Sequence, residues 1–156
     1  MKRDVKKLIF CLLLPLAVGA LAALLTRDAM TQFDALNKPP LSPPAWLFPV
    51  VWTVLYLLMG LASYFMLQSD GSAEEKRTAW VLYCAQLGVN FVWPLIFFGL
   101  AWYLVAFFWL LLLWFLVYLT ANVFSKLRSL AGWLLLPYLL WVTFAGYLNL
   151  TISLLN

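Results

Sequence analysis

Charged residues in this chain stand in short runs, separated by long stretches that contain none. They fall at 2–7, 27–38, 70–77 and 126–128, whereas 8–26, 39–69, 78–125 and 129–156 carry no Asp, Glu, Lys or Arg. Those stretches hold 19, 31, 48 and 28 residues, together 126 of 156. A helix needs about 20 apolar residues to cross roughly 30 Å of hydrocarbon. Three stretches therefore hold one helix each, and the longest holds two. Gly99, within Phe97-Phe98-Gly99-Leu100-Ala101-Trp102, supplies the turn between those two. The pattern predicts an all-α membrane protein: one domain over 1–156, built as a bundle of five transmembrane helices. They are expected near 8–25, 45–67, 78–98, 101–124 and 130–152, with a lid-like loop at 26–44. A membrane β-barrel would instead alternate over segments of about ten residues.

Composition agrees. The chain is 66% hydrophobic and 10% charged, with a mean hydropathy of +0.96, against an apolar share of about half in soluble domains. That excludes disorder, a disulfide scaffold and a nucleic-acid partner, despite a pI near 9.2. Lys and Arg give the orientation. A cytoplasmic N-terminus puts Lys2, Arg3, Lys6, Lys7, Lys76, Arg77, Lys126 and Arg128 inside and only Arg27 and Lys38 outside. The reading is an integral protein of a bacterial inner membrane, with an external C-terminus. Residues 1–25 also fit a secretory leader with Ala20-Leu21-Ala22 as its cleavage site, which would leave four spans. Cys11 and Cys84 lie inside spans and read as packing residues.

The sequence narrows the chemistry. It has no histidine, so imidazole bases and His-ligated haem or zinc are excluded. No charge lies within a span, which argues against ion-coupled transport. No P-loop, dinucleotide fingerprint or nucleophile elbow is present. No catalytic or metal-ligating residue is assigned, no cofactor is required, and a conventional enzyme is disfavoured.

Aromatic residues are abundant instead: nine Trp, seven Tyr and twelve Phe. Trp46, Trp102 and Trp133 sit at span ends and fit interfacial belts. Trp52, Trp93 and Trp141 lie deeper. Gln86 and Asn90 are four apart on one helix face; such amides serve either as interhelical glue or as donors to a ligand. Trp141, Ala145 and Asn149 share a face of the fifth helix. Trp52, Asn90, Trp93 and Ala145 all fall roughly 8–15 Å below the outer boundary. Small residues at Gly19 and Ala23 permit close helix approach. An aromatic pocket with one or two amides suits a flat, apolar, heteroaromatic ligand. Above it, Lys38-Pro39-Pro40-Leu41-Ser42-Pro43-Pro44 is stiff and extended, and Ser42 is expected to cap the second helix with Pro43 at its first position. The loop cations Arg27 and Lys38 are expected to meet acidic groups of the ligand, such as porphyrin propionates.

Three blocks carry a resemblance. Lys38-Pro39 with Pro43-Pro44 leads into Phe48-Pro49-Val50-Val51-Trp52-Thr53-Val54-Leu55-Tyr56 and Met59-Gly60. Gln86-Leu87-Gly88-Val89-Asn90-Phe91-Val92-Trp93-Pro94 is followed by Phe97-Phe98-Gly99. Pro137-Tyr138-Leu139-Leu140-Trp141 precedes Phe144-Ala145 and Tyr147-Leu148-Asn149. In order and over nearly the whole chain, these resemble the TspO/MBR family of tryptophan-rich sensory proteins and translocator proteins, the peripheral-type benzodiazepine receptors. The resemblance implies a five-helix, often dimeric bundle that binds porphyrin or haem. By matching position it implies a ligand site lined by Phe33, Pro43, Trp52, Asn90, Trp93, Trp141, Ala145 and Leu148. Many relatives have Trp-Tyr where this chain has Gln32-Phe33, and no basic residue follows Tyr147, so no dedicated sterol site is expected.

The combined reading is a tetrapyrrole-binding, receptor-like membrane protein serving porphyrin transport, sensing or stress response. Its rivals are light-dependent porphyrin degradation and a membrane scaffold. Expected partners are a porphyrin-type molecule and the bilayer; Gly19, Ala23 and the aromatic helix faces also permit a homodimer.

Overall fold

The computed structural model describes residues 4–156, apart from the side chains of residues 30 and 31. Lys2 and Arg3, which enter the charge count above, lie outside the described residues. The elements are α1 (Val5–Thr26), a 3-10 turn (Arg27–Ala29), α2 (Met30–Asp34), α3 (Leu47–Leu67), α4 (Ala73–Pro94), α5 (Tyr103–Leu127), α6 (Ser129–Leu134) and α7 (Leu136–Leu155). A π-helical turn, Leu95–Gly99, continues α4. There is no strand among the described residues. Five helical segments are long and apolar enough to span a membrane: Val5–Ala29, Leu47–Leu67, Ala73–Gly99, Tyr103–Leu127 and Ser129–Leu155.

Local chemistry explains most boundaries. Asp4 caps α1 by accepting from the Lys7 amide at 3.1 Å. Helix α4 starts at Ala73, five residues before the expected start, because Ser72 and Glu75 form a reciprocal capping box. The Glu75 amide donates to Ser72 Oγ (3.1 Å), and the Ser72 amide donates to Glu75 Oε2 (2.8 Å). Ser42 does not cap the second span. Helix α3 begins at Leu47, whose amide donates to the Pro44 carbonyl at 3.0 Å, and its N-cap is Trp46 without a side-chain bond. A turn at Pro40-Leu41, with Leu41 left-handed (φ 70°) and the Ser42 amide donating to the Pro39 carbonyl (3.3 Å), precedes Pro43 and Pro44, so neither Ser42 nor Pro43 reaches the helix. The reversal after α4 falls where expected, but its left-handed residue is Ala101 (φ 56°), not Gly99.

Helix α1 lies along α3, α4 along α5, and α5 along α7. Gly60 permits the first of these contacts: a Cβ there would sit 2.6 Å from the Cys11 carbonyl oxygen and 2.9 Å from Leu12 Cα. Gly19 faces the Tyr56 ring of its own chain. The fifth span bends at Leu135, between α6 and α7. Below the bend α6 packs on α3; above it α7 packs on α5. The main core runs through α3, α4, α5, α6 and α7, with Met59, Tyr83, Phe124 and Tyr138 fully enclosed. Trp46, Trp102 and Trp133 are exposed at span ends, as belts require.

Lys6, Lys7, Lys76, Arg77, Lys126 and Arg128 share one end of this antiparallel bundle, the basic end; Arg27 and Lys38 belong to the other. There the 26–44 stretch departs from a simple lid. Its first part is helical turns, and residues 35–46 form a strap along α7. The Asn37 amide donates to Asn156 Oδ1 (3.1 Å), and Asn156 Nδ2 donates back to the Asn37 carbonyl (2.9 Å). Tyr147 Oη donates to the Pro40 carbonyl at 3.1 Å. The Phe48 ring then meets Trp141 edge-on, centroids 6.0 Å apart. From Asn156 back to Trp141 is about 22 Å of helix at 1.5 Å per residue, so the strap descends beside α7 rather than roofing the bundle.

Candidate functional site

Buried polar groups inside a bilayer must find partners within the protein, and two such nodes tie the spans together. In the first, Tyr56 Oη donates to Asn90 Oδ1 (3.0 Å), Asn90 Nδ2 donates to Tyr138 Oη (2.6 Å), and Tyr138 Oη donates to Gln86 Oε1 (2.7 Å). This ladder joins α3, α4 and α7. Trp52 borders it, tilted on Tyr56 at 5.6 Å and edge-on to Tyr138 at 6.3 Å. In the second, Trp93 Nε1 donates to Asn149 Oδ1 (3.0 Å), and Asn149 Nδ2 donates to the Tyr103 carbonyl (2.7 Å). The same Trp93 stacks on Phe97 at 5.0 Å.

The expected site residues divide accordingly. Trp52, Asn90, Trp93, Trp141 and Ala145 all belong to or pack on the main core. Both ends of the Asn90 carboxamide are engaged by tyrosines, which is the interhelical-glue arrangement. Phe33 is buried in a smaller cluster at the strap end, against Phe97 (6.0 Å) and Phe98 (5.3 Å). Leu148 is buried on α7 and Pro43 is half-buried in the strap. The two loop cations separate. Lys38 Nζ lies 4.9 Å above the Phe33 ring and donates to the Asp34 carbonyl. Arg27 pairs with Asp28 at 3.9 Å, both side chains largely in the open.

An open groove lies between α3 and α7. Where α7 leaves α3, a slot of about 600 Å³ opens, walled by Val51, Val54 and Leu58 on one side and Pro137, Trp141 and Phe144 on the other. Its volume lies within the roughly 300–1,000 Å³ of small-molecule sites. Val50, Val54 and Leu140 at its rim are exposed, and at this depth the surroundings are lipid. The Phe48–Trp141 contact stands at its strap end and the α3–α6 packing toward the basic end. Trp141 Nε1 is shielded and has no hydrogen-bond partner; Gln86 Nε2 shares that condition. Trp52 is not a wall of the slot. Among the described residues no group of three or more His, Cys, Asp or Glu is placed to hold a metal.

Sequence reasoning missed Tyr56 and Tyr138, although a tyrosine in mid-span announces a hydroxyl that needs a partner. It also missed the slot, whose only local signal is Pro137 inside an apolar run.

The fold and site define a class: a five-span membrane protein with a polar ladder, an aromatic interior and a lipid-facing slot. The chain belongs to the TspO/MBR family, whose model matches residues 11–155. It is 39% identical to the tryptophan-rich protein TspO of Chlorobaculum tepidum, over 100% of this chain and 99% of that one. It is 40% identical to the tryptophan-rich sensory protein of Cereibacter sphaeroides, over 80% and 76% of the two chains. With the translocator protein of Bos taurus it shares 38% identity over 88% of this chain and 82% of that one.

Proposed function

We propose that the chain is a receptor-like protein of a bacterial inner membrane that binds a tetrapyrrole between α3 and α7, serving porphyrin transport, sensing or stress response. The observation that carries this reading is the slot, with aliphatic and aromatic walls and a volume suited to one flat macrocycle. A ring inserted edge-first packs on Trp141 and Phe144. Burying apolar ring surface in walls more rigid than lipid supplies packing. An acidic side group would meet Lys38 only by extending along the strap from the slot toward Asn37; Arg27 pairs with Asp28. With no histidine in the chain, iron gains no strong axial ligand, so metal-free porphyrin suits the site at least as well as haem. The charge bias supports a cytoplasmic N-terminus.

The test is a titration of lipid-nanodisc protein with protoporphyrin, followed by the porphyrin's own absorbance. Saturable binding is expected in the wild type and in Val105→Trp, which adds bulk to an exposed site on α5. Val54→Trp fills the slot and should weaken binding at least tenfold. Equal affinity in Val54→Trp and wild type would place the ligand elsewhere.

A further inference from the structure

The basic end holds a second feature that the porphyrin reading does not use. Helices α1 and α4 both begin there, at Val5 and Ala73, so the positive ends of two helix dipoles point to the same side of the membrane. The Phe10 and Trp80 rings pack together, centroids 6.3 Å apart. Lys6 precedes Phe10 by four residues and Lys76 precedes Trp80 by four, so each lysine lies one turn toward the basic end from that contact. Lys7 and Arg77 adjoin them. None of these four cations has an ion-pair partner among the described residues. Two nearby acids are committed to caps: Asp4 accepts from the Lys7 amide and Glu75 from the Ser72 amide.

We infer that the paired starts of α1 and α4 form a binding site for an anionic phospholipid, with Lys6 and Lys76 holding the phosphate and Phe10 and Trp80 forming its floor. Orientation by the positive-inside rule depends on how many cations a side carries; it does not require two lysines to converge on one aromatic pair. Lys6 and Lys76 each stand one turn from the Phe10–Trp80 contact, and neither has an ion-pair partner among the described residues. A lipid is favoured over free phosphate because the apolar surface continues from the lysines toward the bilayer centre. Ile9, Phe10 and Leu13 of α1 and Val81 of α4 are all exposed there, giving acyl chains a bed. A basic residue near an anionic headgroup is worth about 1 kcal/mol, or about fivefold in affinity.

Native mass spectrometry of the detergent-purified protein, titrated separately with phosphatidylglycerol and phosphatidylcholine, tests the site. Wild type should retain phosphatidylglycerol in preference to phosphatidylcholine. Lys6→Gln and Lys76→Gln should each lower phosphatidylglycerol retention about fivefold and leave phosphatidylcholine unchanged. Lys126→Gln, an equal charge loss elsewhere on the basic end, should stay within about twofold of wild type, and Lys6→Arg with Lys76→Arg should keep the preference. Equal loss in Lys126→Gln, or no lipid preference in wild type, would overturn the site. Displacement of the lipid by millimolar inorganic phosphate would reassign it to a free anion.

Discussion

Single polar atoms decide where this bundle is pinned. The Tyr138 hydroxyl is the centre of the ladder, accepting from Asn90 and donating to Gln86, whereas Tyr56 makes one bond, to Asn90. Replacing Tyr138 by Phe strands a donor and an acceptor; replacing Tyr56 by Phe strands one acceptor. Side-chain hydrogen bonds in membranes average about 0.6 kcal/mol, with a maximum near 1.7. Tyr138→Phe should therefore cost about 1–2 kcal/mol, and Tyr56→Phe about half of that. Thermal unfolding in one detergent checks the order; an equal or larger loss for Tyr56→Phe contradicts it. Asn90 belongs to the same account. Its carboxamide was open to two readings in the sequence, and the choice required knowing that Tyr56 and Tyr138, 34 residues before it and 48 after it, converge there.

At the scale of elements, the long charge-free runs made the five spans legible, because bilayer thickness imposes a length on each helix. The start of α4 was legible too: Ser72 and Glu75 spell a capping box, hidden by the assumption that the charged residues Glu74 to Arg77 form a loop. The bend at Leu135 and the course of the strap were not. The strap is held by bonds between residues 107 and 119 positions apart, and no local periodicity encodes those. Two predictions belong here. Gly60→Ala drives a methyl into the α1 backbone and should cost about 1–3 kcal/mol. Gly88→Ala, with nothing within 4 Å of its Cβ, should be neutral or stabilising by up to about 1 kcal/mol. Calorimetry of the two variants separates them, and equal stability would mean that α1 and α3 are not in close contact at Gly60. The combined variant Tyr147→Phe, Asn156→Ala removes the bonds securing the strap. Three bonds at about 0.5 kcal/mol each sum to about 1.5 kcal/mol, so their loss should speed porphyrin dissociation about tenfold in a stopped-flow experiment. An unchanged rate would show that the strap does not restrain the ligand.

The whole molecule unites features that were readable to different depths. Membership of the TspO/MBR family could be read from three blocks of residues, whereas the deep indoles and amides divide between the ladder, the Trp93–Asn149 node and the slot wall. The slot could not be read, because it arises from the divergence of two helices and not from any residue type. A ligand that binds only the folded bundle stabilises it by mass action: about 2.7 kcal/mol at a hundred times its dissociation constant. Protoporphyrin at that ratio should raise the unfolding temperature of wild type and raise that of Val54→Trp by about half as much or less, since a tenfold weaker constant leaves about 1.4 kcal/mol. A rise of equal size in both would assign the stabilisation to a different surface.

The slot opens sideways, between Val54 and Leu140, onto hydrocarbon rather than water. A guest reaches it by travelling within the plane of the bilayer, so occupancy follows the guest's mole fraction among the lipids and not its aqueous concentration. Diluting a fixed amount of guest and protein with extra vesicles should empty the site, even when the buffer volume is unchanged.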